Sequence, residues 1–195
     1  IRRLALWRTQ ITQQGFPHLE GLENLELLDI HGSRVSEDAL PHLARLPHLR
    51  QIITTMTLSD RGLACLRTFV HHPRIIRGKL VVEGVTDQGM VDLGTLTWIK
   101  ELEIRNSSIS AQGYAALVRL RNLDRLNVSR TTCDDASLAQ IRRIGSLRDL
   151  DIYSSPAQIS LGEIMRCWGA QISGMRMLLT PGRRNVEFSV QGGIS

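Results

Sequence analysis

The amino-acid sequence predicts an α/β fold built as a stack of similar coils, each supplying one parallel strand and one short helix. Three observations predict it: a 24-residue internal period, a fixed apolar spacing at the start of each unit, and a capped apolar stripe in each unit's second half.

The period emerges when Ile1-Arg2-Arg3-Leu4-Ala5-Leu6 is laid on Leu25-Glu26-Leu27-Leu28-Asp29-Ile30, a shift of 24 residues (25 minus 1). The same frame recurs from Ile99, Leu123 and Leu147, while Leu49 opens a third unit and Ile75, with Leu80, a fourth. Repeats are therefore expected to start near 1, 25, 49, 75, 99, 123 and 147. Apolar residues at unit positions 1, 4 and 6 suit a strand over positions 3 to 5 whose central side chain points inward. Position 11 adds an apolar plug, seen as Ile11, Val35, Val85, Ile109 and Cys133.

Behind the plug stand Thr12, Ser36, Ser59, Thr86 and Ser110, whose hydroxyls suit the N-cap of a helix. The acidic residues that follow, Glu37-Asp38, Asp60 and Asp87, complement the positive end of that helix. Small residues at position 15 (Gly15, Ala39, Gly62, Gly89, Gly113) let it lie close to its neighbour. Phe16, Leu19 and Leu22, with Leu40, Leu43 and Leu46 and with Tyr114, Leu117 and Leu120, form the apolar stripe of about two helical turns. No single coil can bury this apolar side alone, so each unit depends on the next.

Repeats of this form resemble the leucine-rich-repeat (LRR) family over about residues 1–165. Ser or Thr near position 9 (Thr9, Ser33, Ser107, Thr131, Ser155) and the turn Val85-Thr86-Asp87-Gln88-Gly89 are similar to its bacterial and F-box-associated members. The commonest family form has Asn at position 9, where this chain has hydroxyls. The resemblance implies a horseshoe-shaped solenoid with a parallel β-sheet on its concave face and short helices on its convex face. It also implies a substrate-receptor or scaffold role.

Regularity fails in the third and fourth units. Thr54 stands at an apolar position, residues 70–74 stretch the repeat to 26 residues (75 minus 49), and Gly78 falls at an inward strand position. After Ile152 the seventh unit also lengthens. Met175–Leu179 and Val186–Val190 read as two strands around Pro181-Gly182, a capping hairpin at about 172–190. The whole is expected to be one domain, 1–195, and, since it opens on Ile1-Arg2-Arg3, a fragment of a longer chain.

Chemistry is sparse. The chain lacks a Gly-rich phosphate loop, a His-Glu-x-x-His and a Gly-x-Ser-x-Gly, so no enzyme, cofactor or small-molecule substrate is indicated. His18, His42, His48 and His71-His72 have no converging ligand set and read as solvated surface histidines, so no metal is expected. Cys65, Cys133 and Cys167 are an odd count without CxxC spacing, which fits a reducing, intracellular (cytoplasmic) setting. No apolar run reaches the ~18 residues that membrane insertion needs. A net charge of +5 from 24 basic and 19 acidic residues is a mild bias.

Binding is better supported. Positions 3, 5, 7 and 8 flank the inward residue and would stand on the strand face. The partner-binding residues expected there are Trp7, Arg8, Leu27, His31, Ile53, Met56, Arg77, Lys79, Arg105, Arg125 and Tyr153. Trp7, Leu27, Ile53, Met56, Val81 and Val82 make an apolar strip of the kind that binds a protein. The expected function is thus a non-enzymatic protein-protein interaction module. The alternatives are an RNA-binding subunit using scattered arginines, and the substrate-recognition part of a ubiquitin-ligase-type assembly. The arginines are interleaved with Glu101, Glu103, Asp149 and Asp151, and aromatic residues make up only 4% of the chain, which weighs against nucleic acid.

Overall fold

Repeat positions 1, 4 and 6 vanish from solvent in every well-formed coil. Leu25, Leu28 and Ile30 are buried, as are Ile99, Leu102 and Ile104, and Leu123, Leu126 and Val128. In the computed structural model, which describes residues 1–69, 74–76, 79–153, 175–179 and 186–191, these side chains are the inward layer of parallel sheets packed against short helices. The fold is α/β. The chain divides into two compact units, Ile1–Val81 and Val82–Ser195, and the division falls inside the stretch where the spacing breaks.

In the first unit, strands β1 (Arg3–Ala5), β2 (Leu27–Asp29) and β3 (Gln51–Ile53) are followed by the short β4 (Thr57–Leu58) and by β5 (Arg74–Ile76). The parallel order is β1-β2-β3-β5, with Leu4, Leu28, Ile52 and Ile75 in register. Between the strands run 3-10 turns at Gln13–Leu19 and Glu37–Ala39, then α1 (Leu40–Leu43) and α2 (Asp60–Leu66). Pro17 lies inside the first of these turns, where its missing N–H does not suit a continuous α-helix.

The second unit's sheet runs β6 (Leu80–Glu83), β7 (Glu101–Arg105), β8 (Arg125–Ser129), β9 (Asp149–Tyr153) and then the C-terminal strands β10 (Met175–Leu179) and β11 (Val186–Gln191). Strands β7, β8 and β9 are parallel with a strict shift of 24 residues (125 minus 101, 149 minus 125). Strand β11 lies antiparallel along β9, with Phe188 opposite Ile152, and β10 pairs antiparallel with β11. Helices α3 (Asp87–Leu93), α4 (Ala111–Ala115) with a 3-10 extension to Arg119, and α5 (Asp135–Ile141) occupy the other half of the coils. Among the described residues, no helix is long and apolar enough to cross a membrane.

The fourth coil departs from the expected frame. Gly84 donates its N–H to Arg105 O as Asn106 does to Ser129 O, so Gly84 holds repeat position 8, not Val82. Leu80 and Val82 accordingly take positions 4 and 6 and are buried, at 3% and 0% exposed. Val82 is therefore core: two extra residues in the link move the frame by two, which keeps the strand's alternation but brings Val82 from the exposed rim position 8 to the inward position 6. Gly78 lies outside the described residues.

Thr54, the polar residue at an apolar position, is buried and spends its hydroxyl on the N–H of Met56 at 3.0 Å. The position-9 hydroxyls work alike. Thr9 donates to Leu6 O, Ser33 to Ile30 O and Ser107 to Arg105 O, and the buried Tyr114 hydroxyl donates to Thr131. Apart from the exposed Thr9 bond, these pair polar groups that burial would otherwise penalise.

The helix starts hold a link that capping alone does not explain. Thr86 and Ser110 accept from the N–H two residues on, as N-caps do, and Asp134 caps Ser137. The Ser137 hydroxyl, which also donates to Asp134 at 2.7 Å, and then the Ser137 N–H hold the Asp134 carboxyl below the usual carboxylate range. Glu37 and Asp87 instead reach into the following coil. Glu37 accepts from the Ser59 N–H at 2.7 Å and the Ser59 hydroxyl at 2.6 Å; Asp87 accepts from the Ser110 N–H at 2.8 Å and from its hydroxyl. The glycines at position 15 leave room for these carboxylates: a Cβ on Gly62 would meet Glu37 Oε2, and one on Gly113 would meet Asp87 Oδ1.

Two outcomes follow. Gly62→Ala should lower stability by about 1 kcal/mol, since overpacking of roughly 1–3 kcal/mol exceeds the helical gain from alanine. Combining it with Glu37→Ala should cost less than the two single losses added, by urea unfolding, whereas Gly21→Ala, with open space around it, should be near neutral. Burial and the adjacent Asp134 push the Cys133 thiol up to about 12. Mass spectrometry after alkylation at neutral pH should find Cys133 unmodified in the native chain and modified in denaturant.

Candidate functional site

Because the central residue of each strand points inward, its two neighbours point outward, and register aligns them into rows. In the first unit one row is Arg3, Leu27 and Gln51, and the next is Ala5, Asp29 and Ile53. Beyond them Trp7 stacks on His31, with ring centroids 5.8 Å apart and planes 3° from parallel, and the Arg8 guanidinium lies 5.9 Å from the indole centroid. His31 is itself held by Asp29, whose Oδ1 lies 2.6 Å from Nδ1 and accepts from the His31 N–H at 3.2 Å. The chain Asp29, His31, Trp7, Arg8 thus fixes an indole that remains 51% exposed. Aromatic stacking of this kind contributes roughly 0.5–1.5 kcal/mol when buried and less when open to water.

The structure brings Trp7, Arg8, Leu27, His31 and Ile53 onto one sheet face, with Leu27, His31 and Ile53 half-buried. Met56 is corrected: only 7% exposed, it belongs to the core and cannot offer its side chain to a partner. Its coil takes a different course after β3, with Thr54 turned inward and β4 following at once. Lys79 is exposed just ahead of β6, and Arg77 lies outside the described residues. The histidines split. His18 and His48 are exposed, while half-buried His42 pairs with Glu20 at 2.6 Å, a partner that a solvated histidine would not need. Glu20 also binds Arg45, and these two bonds, that to His42 first, hold its carboxyl below the ordinary range.

The second unit presents a charged face. Its rows are Glu101, Arg125 and Asp149; Glu103, Asn127 and Asp151; and Arg105, Ser129 and Tyr153. Arg125 bridges Asp149 at 2.9 Å and Glu101 at 3.7 Å. Arg105 donates to the buried Glu103, which pushes the guanidinium pKa up. Arg105 and Arg125 are therefore largely engaged within the face. Tyr153 joins the face through its backbone, and its side chain lies outside what is described.

Repeat position 8 carries a feature that side-chain periodicity does not reveal. Arg8, Gly32, Gly84, Asn106 and Arg130 all have positive φ, between 45° and 68°. These five coils turn through the left-handed region as their strands end; the third coil, with Met56 at this position, does not. The turn places Arg8, Asn106 and Arg130 at the rim of the sheet. A cavity of about 330 Å³ lined by Glu83, Arg105, Asn106, Ser129 and Arg130 opens there. Position 5 put Asp29 on the strand face from the sequence, but its bond to His31 was missed; the spacing of two between them was the available signal.

No protein-family model and no curated protein matches this chain. Among solved structures, a chain in the octameric complex of Latrophilin 3 (Lec, Olf), Unc5D (Ig, Ig2, TSP1) and FLRT2 (LRR) is similar at a TM-score of 0.42 and 13% identity, over 86% of this chain and 72% of that one. Among the described residues, no group of three or more His, Cys, Asp or Glu side chains could hold a metal ion.

The left-handed turn makes a prediction. A non-glycine residue there costs roughly 1–2 kcal/mol, so Arg130→Gly should raise the unfolding midpoint slightly and Gly32→Val should lower it, by thermal denaturation.

Proposed function

We propose that this chain is a leucine-rich-repeat solenoid serving as a non-enzymatic protein-interaction module, and that the strand face around Trp7 engages the partner. The solenoid reading is supported by the 24-residue register and by burial at positions 1, 4 and 6 in successive coils. Hydroxyls at position 9 that bond the backbone support it further. An intracellular scaffold or receptor role fits the free thiols of Cys65 and Cys133.

One observation carries the functional reading. Trp7 is half-exposed yet held rigid by His31 and Arg8 on a face that also shows Leu27 and Ile53. A pre-oriented indole loses little entropy on binding and buries a large apolar area, the properties of an interface hot spot. The lone charged side chains around it would serve as rim.

Affinity capture with quantitative mass spectrometry tests this. Partners retained by the intact chain should fall about tenfold with Trp7→Ala, the loss expected for a hot spot, and with Leu27→Gln, and persist with His48→Ala. Equal recovery by all forms would overturn the assignment of this face.

A further inference from the structure

Three cations meet around a second cavity, in the Val82–Ser195 unit, of about 330 Å³. Lys100 and Arg148 stand at repeat position 2, immediately ahead of β7 and β9, and Arg121 comes from the link that precedes β8. The backbone sets their spacing. Asp124 N–H donates to Lys100 O and Arg148 N–H donates to Asp124 O, each at 2.8 Å, so the three position-2 residues step across adjacent strands. Strand separation is about 4.8 Å, which puts Lys100 and Arg148 on opposite walls with Asp124 between them.

The polar groups of the lining are not equally available. Ser146 spends its hydroxyl on Leu120 O and Leu123 O, and Asn122 donates its amide to Thr97 O. The acids nearest in sequence, Glu101 and Asp149, are both taken by Arg125. Lys100, Arg121 and Arg148 are exposed and make no ion pair among the described residues. Three positive charges therefore face the single carboxylate of Asp124, a surplus of two in a cavity near the lower size limit of ligand sites.

We infer that this cavity is a docking site for an acidic segment of a protein partner, with carboxylate side chains seated between Lys100, Arg121 and Arg148. Arginine forks match carboxylates bidentately, and the lysine supplies a point charge on the facing wall. Charge placement favours a peptide over a nucleic acid. A polynucleotide carries phosphates at every step, and its neighbouring phosphates would meet Glu101, Asp149 and Asp151, which are only part-buried on the adjoining strand face. Of this unit's aromatic side chains that are described, Tyr114 is buried and Trp98 half-buried, so neither offers a base an open platform. The site is separate from the Trp7 face and needs different variants.

Fluorescence anisotropy of a labelled hexaglutamate peptide, titrated with the intact chain at low ionic strength, tests the inference. Saturable binding should weaken about threefold to fivefold with each of Lys100→Gln, Arg121→Gln and Arg148→Gln, as expected for loss of one exposed ion pair. Arg130→Gln and Trp7→Ala should leave it unchanged, and thermal melting should show every variant folded. Absence of saturable binding, binding by the three variants as tight as that of the unaltered chain, or tighter binding of an oligothymidylate of equal charge would each overturn it.

Discussion

Glu37 and Asp87 each sit at the start of one helix and hold the start of the next, accepting from the backbone and hydroxyl of Ser59 and Ser110. A charged acceptor satisfies a helix-start N–H more strongly than a neutral hydroxyl would. It can do so only where the following coil approaches closely enough. The glycines three residues beyond those serines, Gly62 and Gly113, provide that approach, and the aliphatic layers at positions 1, 4 and 6 then stack in register. Hydrophobic burial supplies the larger free energy, while these carboxylates set the stagger at which it is realised.

The same stagger governs what each strand face displays. Inward residues repeat almost unchanged from coil to coil, but the outward rows differ. The first unit mixes Leu27, Ile53 and an anchored Trp7, while the second pairs Arg125 with Glu101 and Asp149 and Arg105 with Glu103. A charged row that neutralises itself offers little to a partner, since its groups would have to exchange one set of bonds for another. An aromatic row fixed from beneath keeps its binding area free. The unpaired cations at the strand entrances follow from the same economy: Arg125 absorbs the nearby acids, leaving Lys100 and Arg148 open.

Periodic burial was legible because it depends on local spacing. The positions of Leu25, Leu28, Ile30 and their counterparts could be read without coordinates, as could the core role of Cys133. The fourth coil could not be read this way. Its link changes length, and no local signal distinguishes a frame beginning at Ile75 from the one that Gly84 and Arg105 establish by hydrogen bonding. Met56 failed for a related reason, since an apolar residue at an outward position in a distorted coil can turn back into the core.

The sequence alone carried the α/β alternation, the 24-residue period and the apolar core of the regular coils, Met56 and Val82 excepted, all set by which residues recur at which spacing. Tertiary structure decided the left-handed turn at position 8, the pairing of His31 with Asp29 beneath Trp7, and the division of Arg125 between two carboxylates. Those depend on which side chains meet after folding, within one coil for His31 and Asp29 and across strands for Trp7 and Arg125, or on backbone states that many residue types can adopt. Spacing along one chain can name such residues, but only the packed coils show which of them meet.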